Sequence, residues 1–189
     1  RDFCLSRGLG DVYKRQSIQV AEIAEREKVS CWVFADNVAG INHASPQAME
    51  IAEMINLRPP CFLDLRQVAE NHTVYEYTIF FDDEQARRLL YPVLKNVSYT
   101  RWHPYFLDIV PEGLSKSYGA ARILERIGVT REECMAFGDG GNDIPIIEYA
   151  GIGVAMGNAT DDVKAAADYV TDTVDEDGVV TALERFGVL

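Results

Sequence analysis

From Ser115 to Phe186 the chain alternates without a break between amphipathic stretches and short apolar runs, and nothing else in it constrains the fold as much. Ser115 to Ile127 sets Ala120, Ile123, Leu124 and Ile127 on one helical face and is closed by Gly128, the residue type best suited to a left-handed helix cap. Cys134 to Phe137 and Ile152 to Ala155 read as buried strands, with Ile144 to Ala150 and Asp161 to Ala167 as the helices that follow them. Asp168 to Thr171 is a short strand and Val179 to Phe186 a last helix. Strands separated by helices pair in parallel, because each crossover returns the chain to the same end of the sheet. Residues 111–189 are therefore expected to form an α/β layer with helices on both faces of a parallel sheet. Ligands in such sheets bind beyond the carboxyl ends of the strands.

Residues 17–110 have another style. Val20, Ile23 and Ala24 share a helical face, and Cys31 to Ala35 is a strand candidate. Ser45-Pro46 opens a helix in the favoured order of cap then proline, with Met49, Ala52 and Ile55 along one side. Tyr75 to Phe81 is a strand, a helix runs from about Glu84 to Leu94, and strands follow at Val97 to Trp102 and Tyr105 to Val110. This order predicts an α+β layer with an antiparallel sheet, separated from the second layer at Pro111-Glu112-Gly113. Residues 1–16 break with both parts. They are basic in an acidic chain, and Asp11 to Gln16 resembles the in-frame translation of a transposon-end sequencing adapter. They are set aside as a non-native segment, and the chain is read as a fragment.

A net charge of −12 argues against nucleic acid, which needs a basic footprint. No apolar run approaches the length of a membrane span, and no charged-then-apolar start suggests secretion. Cys4, Cys31, Cys61 and Cys134 form no CxxC pair and read as reduced thiols of a cytoplasmic protein. An acidic chain that handles phosphate esters needs local positive charge, from a metal or a placed lysine.

The run Gly138-Asp139-Gly140-Gly141-Asn142-Asp143 supplies the first half of such a site. Asp139 and Asp143 are hard oxygen donors with no His or Cys beside them, which favours Mg²⁺ over zinc. Gly140 and Gly141 let the backbone turn sharply and approach a ligand. The competing reading is a plain strand-to-helix turn, with Asn142 as cap and Asp143 complementing the helix dipole. An EF-hand is excluded, because position 12 from Asp139 is Ala150. Lys116 lies in the first turn of its helix, where a cation is mildly unfavourable; it is either an exposed, solvated lysine or one that joins the free N–H groups around an anion. Arg101, His103 and Tyr105 are candidates for a pocket wall, but an exposed strand edge with snorkelling side chains is the favoured reading for each. His43 and His72 have no partner at metal-ligand spacing. Gly151-Ile152-Gly153 lacks the third glycine of a dinucleotide-binding turn.

The order of these parts, from the Lys-headed helix through Gly138–Asp143 to Gly151-Ile152-Gly153-Val154-Ala155-Met156-Gly157-Asn158-Ala159, resembles the C-terminal half of the Cof-type (IIB) hydrolases of the haloacid dehalogenase-like superfamily. The resemblance covers residues from about 110 to 189, the second half of a Rossmann-like core; residues 17–110 resemble, by position, most of the family's α+β cap. It implies Mg²⁺-dependent hydrolysis of phosphomonoesters, through an aspartyl-phosphate, on small phosphorylated metabolites with sugar phosphates favoured. It also implies that Lys116 stabilises the transferring phosphoryl group, Asn142 contacts the phosphate, Asp139 holds the metal and Asp143 supports it.

The family's nucleophile lies in Asp-x-Asp-Gly-Thr, and that motif does not occur here. Asp36-Asn37-Val38-Ala39-Gly40 is the nearest mimic and lacks the second carboxylate. The chain as written is expected to be inactive, with exposed apolar edges that promote pairing or poor solubility. The alternative is a non-catalytic phosphate- or nucleotide-binding module.

Overall fold

In a computed structural model the chain is described at residues 7–57 and 61–189, with side chains from Tyr13 onward. It divides into two units, the first ending at Glu112 and the second running from Gly113 to Leu189.

The first unit contains α1 (Arg7–Glu27), β1 (Cys31–Ala35), β2 (Val38–Ile41), α2 (Pro46–Met54), α3 (Leu65–Asn71), β3 (Val74–Ile79), α4 (Asp83–Leu89), β4 (Val97–His103) and β5 (Phe106–Pro111). Its strands form one antiparallel sheet in the order β2-β1-β3-β5-β4. Alternation along the strands decides which side chains meet which helices. Val33, Tyr77, Ile79, Leu107 and Ile109 form one core with Val20 and Ile23 of α1, Leu65 and Val68 of α3 and Ala86 of α4. Trp32, Phe80 and Phe106 point the other way and pack with Ala48, Ile51 and Ala52 of α2. Beside this second cluster the strands carry polar groups. Thr78 donates to Asp108 Oδ1 at 2.6 Å and Trp102 Nε1 to Asp108 Oδ2 at 3.2 Å. Burial and the nearby Asp108 push the Glu76 carboxyl up to about 7.

Several sequence expectations change here. Residues 7–16 do not stand outside the fold, because α1 starts at Arg7. Tyr13 packs on the main core, Gln16 and Ser17 are buried, and Tyr77 donates to the Ser17 carbonyl. Residues 1–6 lie outside the described residues. The inner face of α2 is Ala48, Ile51 and Ala52; Met49 and Ile55 are exposed. Helix α4 stops at Leu89, short of Leu94, since Pro92 cannot supply a helical N–H and restricts the residue before it. Asp36-Asn37 is the two-residue loop of the β1–β2 hairpin, with Asn37 at φ 62° and Asp36 accepting from Thr73 N at 2.7 Å. That carboxylate serves a turn. Cys31, Cys61 and Cys134 are free thiols, and burial pushes the Cys31 thiol up.

The second unit contains α5 (Lys116–Ile127), β6 (Met135–Gly138), α6 (Ile144–Tyr149), β7 (Ile152–Ala155), α7 (Asp161–Ala166), β8 (Tyr169–Val170) and α8 (Gly178–Arg185). Its strands run parallel in the order β6-β7-β8, as the alternation requires. Ile147 of α6 and Val163 of α7 pack on Ala155 and Ala159. Helix α5 ends on Gly128 at φ 73°, the expected cap. Its apolar stripe is not buried, however: Ile123 and Ile127 are each 62% exposed. No helix among the described residues is long and apolar enough to cross a membrane.

Candidate phosphate and metal site

Strand β6 delivers the chain to Asp139 at its carboxyl end, and Gly141–Asp143 form a single 3-10 turn that leads into α6. Neither Gly140 nor Gly141 has positive φ, so the expected glycine-only turn is absent. The glycine that is required is Gly138. A Cβ there would lie 2.4 Å from Asp143 Cβ and 2.9 Å from its Cγ, so only a bare Cα admits this carboxylate beside the strand end.

Asp143 is buried and fully engaged. Its Oδ2 accepts the backbone N–H of Asp139 at 3.0 Å and of Gly140 at 3.2 Å, and its Oδ1 accepts Lys116 Nζ. Burial pushes this carboxyl up, but the Lys116 ammonium and the two backbone donors outweigh it and hold the group below the usual carboxylate range. Neither Asn142 nor Asp143 makes a side-chain cap bond to the first N–H groups of α6; Asp143 instead accepts the Gly140 N–H at the start of the 3-10 turn. The Asp143 carboxylate turns backward, toward the loop and Lys116.

Lys116 is the first residue of α5, after Ser115, whose hydroxyl accepts Tyr118 N at 3.1 Å. The lysine side chain is 52% exposed, so its ammonium reaches solvent as well as Asp143. Asp139 is exposed, and among the described residues only one of its oxygens is used, Oδ2, which accepts Asn158 Nδ2 at 3.2 Å. Asn142 is half-buried and makes no side-chain hydrogen bond to the described residues. The structure thus gathers Lys116, Asp139 and Asp143 through direct and backbone contacts, and brings in Asn158, to which sequence reasoning assigned no role. A lone amide between Gly157 and Ala159 carries no signal of its own.

The donor chemistry fits a hard cation. No group of three or more His, Cys, Asp or Glu able to hold a metal occurs among the described residues. The Asp139 carboxylate, with one oxygen that accepts nothing from the described residues, is a hard donor of the kind Mg²⁺ takes together with waters and substrate phosphate.

Other candidates resolve differently. Arg101 is a structural tie: its guanidinium donates to the carbonyls of Phe81 at 2.9 Å, Pro104 at 3.0 Å and Phe106 at 2.8 Å, and pairs with Asp83 at 3.0 Å. Arg101→Ala is expected to cost about 1–3 kcal/mol by leaving these carbonyls unpaired, and Arg101→Lys not to restore it, since an ammonium lacks the planar fork. Urea unfolding of both variants checks this; full rescue by lysine would refute it. The His103 ring stacks on Phe106, and His72 lies 3.4 Å from Asp36. Gly153 is inside β7, so Gly151-Ile152-Gly153 forms no phosphate turn. Asp175-Glu176-Asp177-Gly178 has Asp-x-Asp-Gly spacing but sits in an exposed 3-10 turn, with Asp177 at φ 55°.

A family model for haloacid dehalogenase-like hydrolases matches residues 11–183. The chain is 39% identical over 120 residues to YkrA of Bacillus subtilis (strain 168), covering 64% of this chain and 46% of YkrA. It is 41% identical over 123 residues to the 5-amino-6-(5-phospho-D-ribitylamino)uracil phosphatase YcsE of the same organism, covering 62% of this chain and 49% of YcsE. It thus matches about half the length of each. The solved structure of the subclass IIB sugar phosphatase BT4131 superposes with a TM-score of 0.83 at 32% identity, covering 93% of this chain and 67% of that one. The fold, the carboxylate loop after β6 and these matches agree, and the chain belongs to the haloacid dehalogenase-like hydrolase family.

Proposed function

We propose that this chain carries the metal- and phosphate-binding part of a cytoplasmic, Mg²⁺-dependent phosphomonoester hydrolase of small phosphorylated metabolites, sugar phosphates above all. The observation that carries the reading is the placement of Lys116 and Asp143 against the loop that presents Asp139 at the end of β6. Asp139 would hold the ion, with Asp143 supporting it through the shared loop. Bound there, Mg²⁺ would neutralise charge on the phosphoryl oxygens. Lys116 would meet a second phosphoryl oxygen with its solvent-facing ammonium, and Asn142 a third with its side-chain amide. The substrate class is supported by the names of relatives, one acting on a ribityl phosphate and another on sugar phosphates. Residues 17–110 would form most of a substrate-selecting cap.

No Asp-x-Asp-Gly-Thr nucleophile occurs in these 189 residues. The chain is therefore expected to bind inorganic phosphate in a Mg²⁺-dependent manner and to release no p-nitrophenol from p-nitrophenyl phosphate. Lys116→Ala should weaken phosphate binding about 10- to 100-fold, the worth of a charge-assisted hydrogen bond. Calorimetry with and without Mg²⁺ makes the comparison. Phosphate binding indifferent to Mg²⁺ and to Lys116 would overturn the site, and steady turnover would overturn the inactivity.

A further inference from the structure

Asn158 follows β7, and its side-chain amide touches two groups. Oδ1 accepts the backbone N–H of Val174 at 3.1 Å, and Nδ2 donates to Asp139 Oδ2 at 3.2 Å. The two ends of an amide are alike in shape but opposite in chemistry, and a backbone N–H can only donate. The atom facing Val174 must therefore be the oxygen, which turns the NH₂ toward Asp139. Val174 is itself well placed to act as a reference. Thr173 Oγ1 donates to Glu176 at 2.8 Å, Gly178 N to the Thr173 carbonyl at 3.0 Å, and Gly157 N to the Asp172 carbonyl at 2.9 Å. The loop bearing Asn158 and the turn bearing Val174 are thus bonded to each other.

The type of donor matters as much as its aim. Lys116 pairs with Asp143, so that carboxylate has its charge compensated. Asp139 receives a neutral amide, which restrains rotation of the carboxylate without cancelling its charge. Its other oxygen, Oδ1, accepts nothing from the described residues. We propose that Asn158 is a positioning residue for Asp139: oriented by the Val174 N–H, its amide holds one carboxylate oxygen and leaves the other to a divalent cation. The inference rests on the metal reading of Asp139 and deepens it. Partners that orient a ligating carboxylate change metal affinity without touching the ion.

The test uses Mn²⁺ as a paramagnetic probe of the whole ¹⁵N-labelled chain, following broadening of the Asp139 and Gly140 amides. Asn158→Ala is expected to weaken the Mn²⁺ response about tenfold. Val174→Pro removes only the N–H that orients the amide. It falls at the first position of an exposed 3-10 turn, where proline is tolerated, and is expected to weaken the response by a smaller factor. Asp139→Asn should abolish it. Unchanged Mn²⁺ affinity in Asn158→Ala overturns the positioning role and leaves the metal site standing. If Asn158→Ala fails to fold, Val174→Pro decides, and wild-type affinity there overturns the role. Loss of melting temperature without loss of affinity marks a merely structural contact and also overturns it. No selective broadening at Asp139 and Gly140 in the unsubstituted chain, or an undiminished response in Asp139→Asn, overturns the metal reading and this inference together.

Discussion

A Gly138→Ala chain is expected to lose about 2–3 kcal/mol from the second unit and to lose the Lys116–Asp143 pair with it. The added methyl meets Asp143 Cβ at 2.4 Å, closer than side-chain carbons approach in folded proteins. Neither neighbour has room to retreat. Strand β6 is held in register against β7, with Gly138 opposite Ala155 and its carbonyl accepting Met156 N at 2.9 Å. Asp143 is fixed by two backbone donors and Lys116, at the mouth of α6. The overlap is relieved only by moving the carboxylate out of its cradle. For a unit of this size the loss corresponds to roughly 10–20 °C in melting temperature. Gly141→Ala is the matched control, since its methyl meets only Asp162 Oδ2, at an ordinary 3.8 Å. Hydrogen exchange of the β6 and β7 amides compares the two. Equal protection in both variants would show that the cradle is not what position 138 provides.

Glu76→Gln is expected to stabilise the first unit at pH 8 and to leave it nearly unchanged at pH 4.5. Burial, then the neighbouring Asp108, raises the Glu76 carboxyl in the fold from 4.5 to about 7. The folded chain therefore holds this proton more tightly than the unfolded chain does. The contribution is fully present below pH 4.5 and is lost as pH rises toward and through 7. Partial access to solvent screens the effect, and we expect about 1–2 kcal/mol. Asp108 is shifted in the same direction by burial, against the lowering influence of its bonds from Thr78 and Trp102. Urea midpoints at pH 4.5 and pH 8 for both chains isolate the Glu76 part. An equal change at the two pH values would refute the assignment.

The second unit was the more legible half. Its apolar strands and amphipathic helices alternate strictly, and every strand and helix read from Ser115 onward is found within a residue or two. What the pattern could not show was burial. The stripe of Ile123 and Ile127 on α5 has the spacing of a buried face and is nonetheless exposed. In the first unit β2 and α3 were missed for local reasons. Strand β2 has four residues and includes Ala39-Gly40, both weak strand formers, while α3 is a seven-residue helix in a polar stretch. For the site, Lys116, Asp139, Asn142 and Asp143 could be named because charged and amide groups around glycines are conspicuous. The bonding of each carboxylate could not be read. It depends on which donors converge on each, and those come from β6, α5 and the loop after β7.

Both tryptophans, Trp32 and Trp102, belong to the first unit. Trp32 is buried among aromatic rings and Trp102 is half-exposed on β4, so their emission should change when that sheet opens. The second unit has tyrosines but no indole. Intrinsic tryptophan fluorescence, the usual optical readout of unfolding, is therefore blind to the part of the molecule that holds Lys116, Asp139 and Asp143. A fluorescence melt could look intact while the site had already come apart, and an indole introduced on an exposed face of α8 would give that half its own signal.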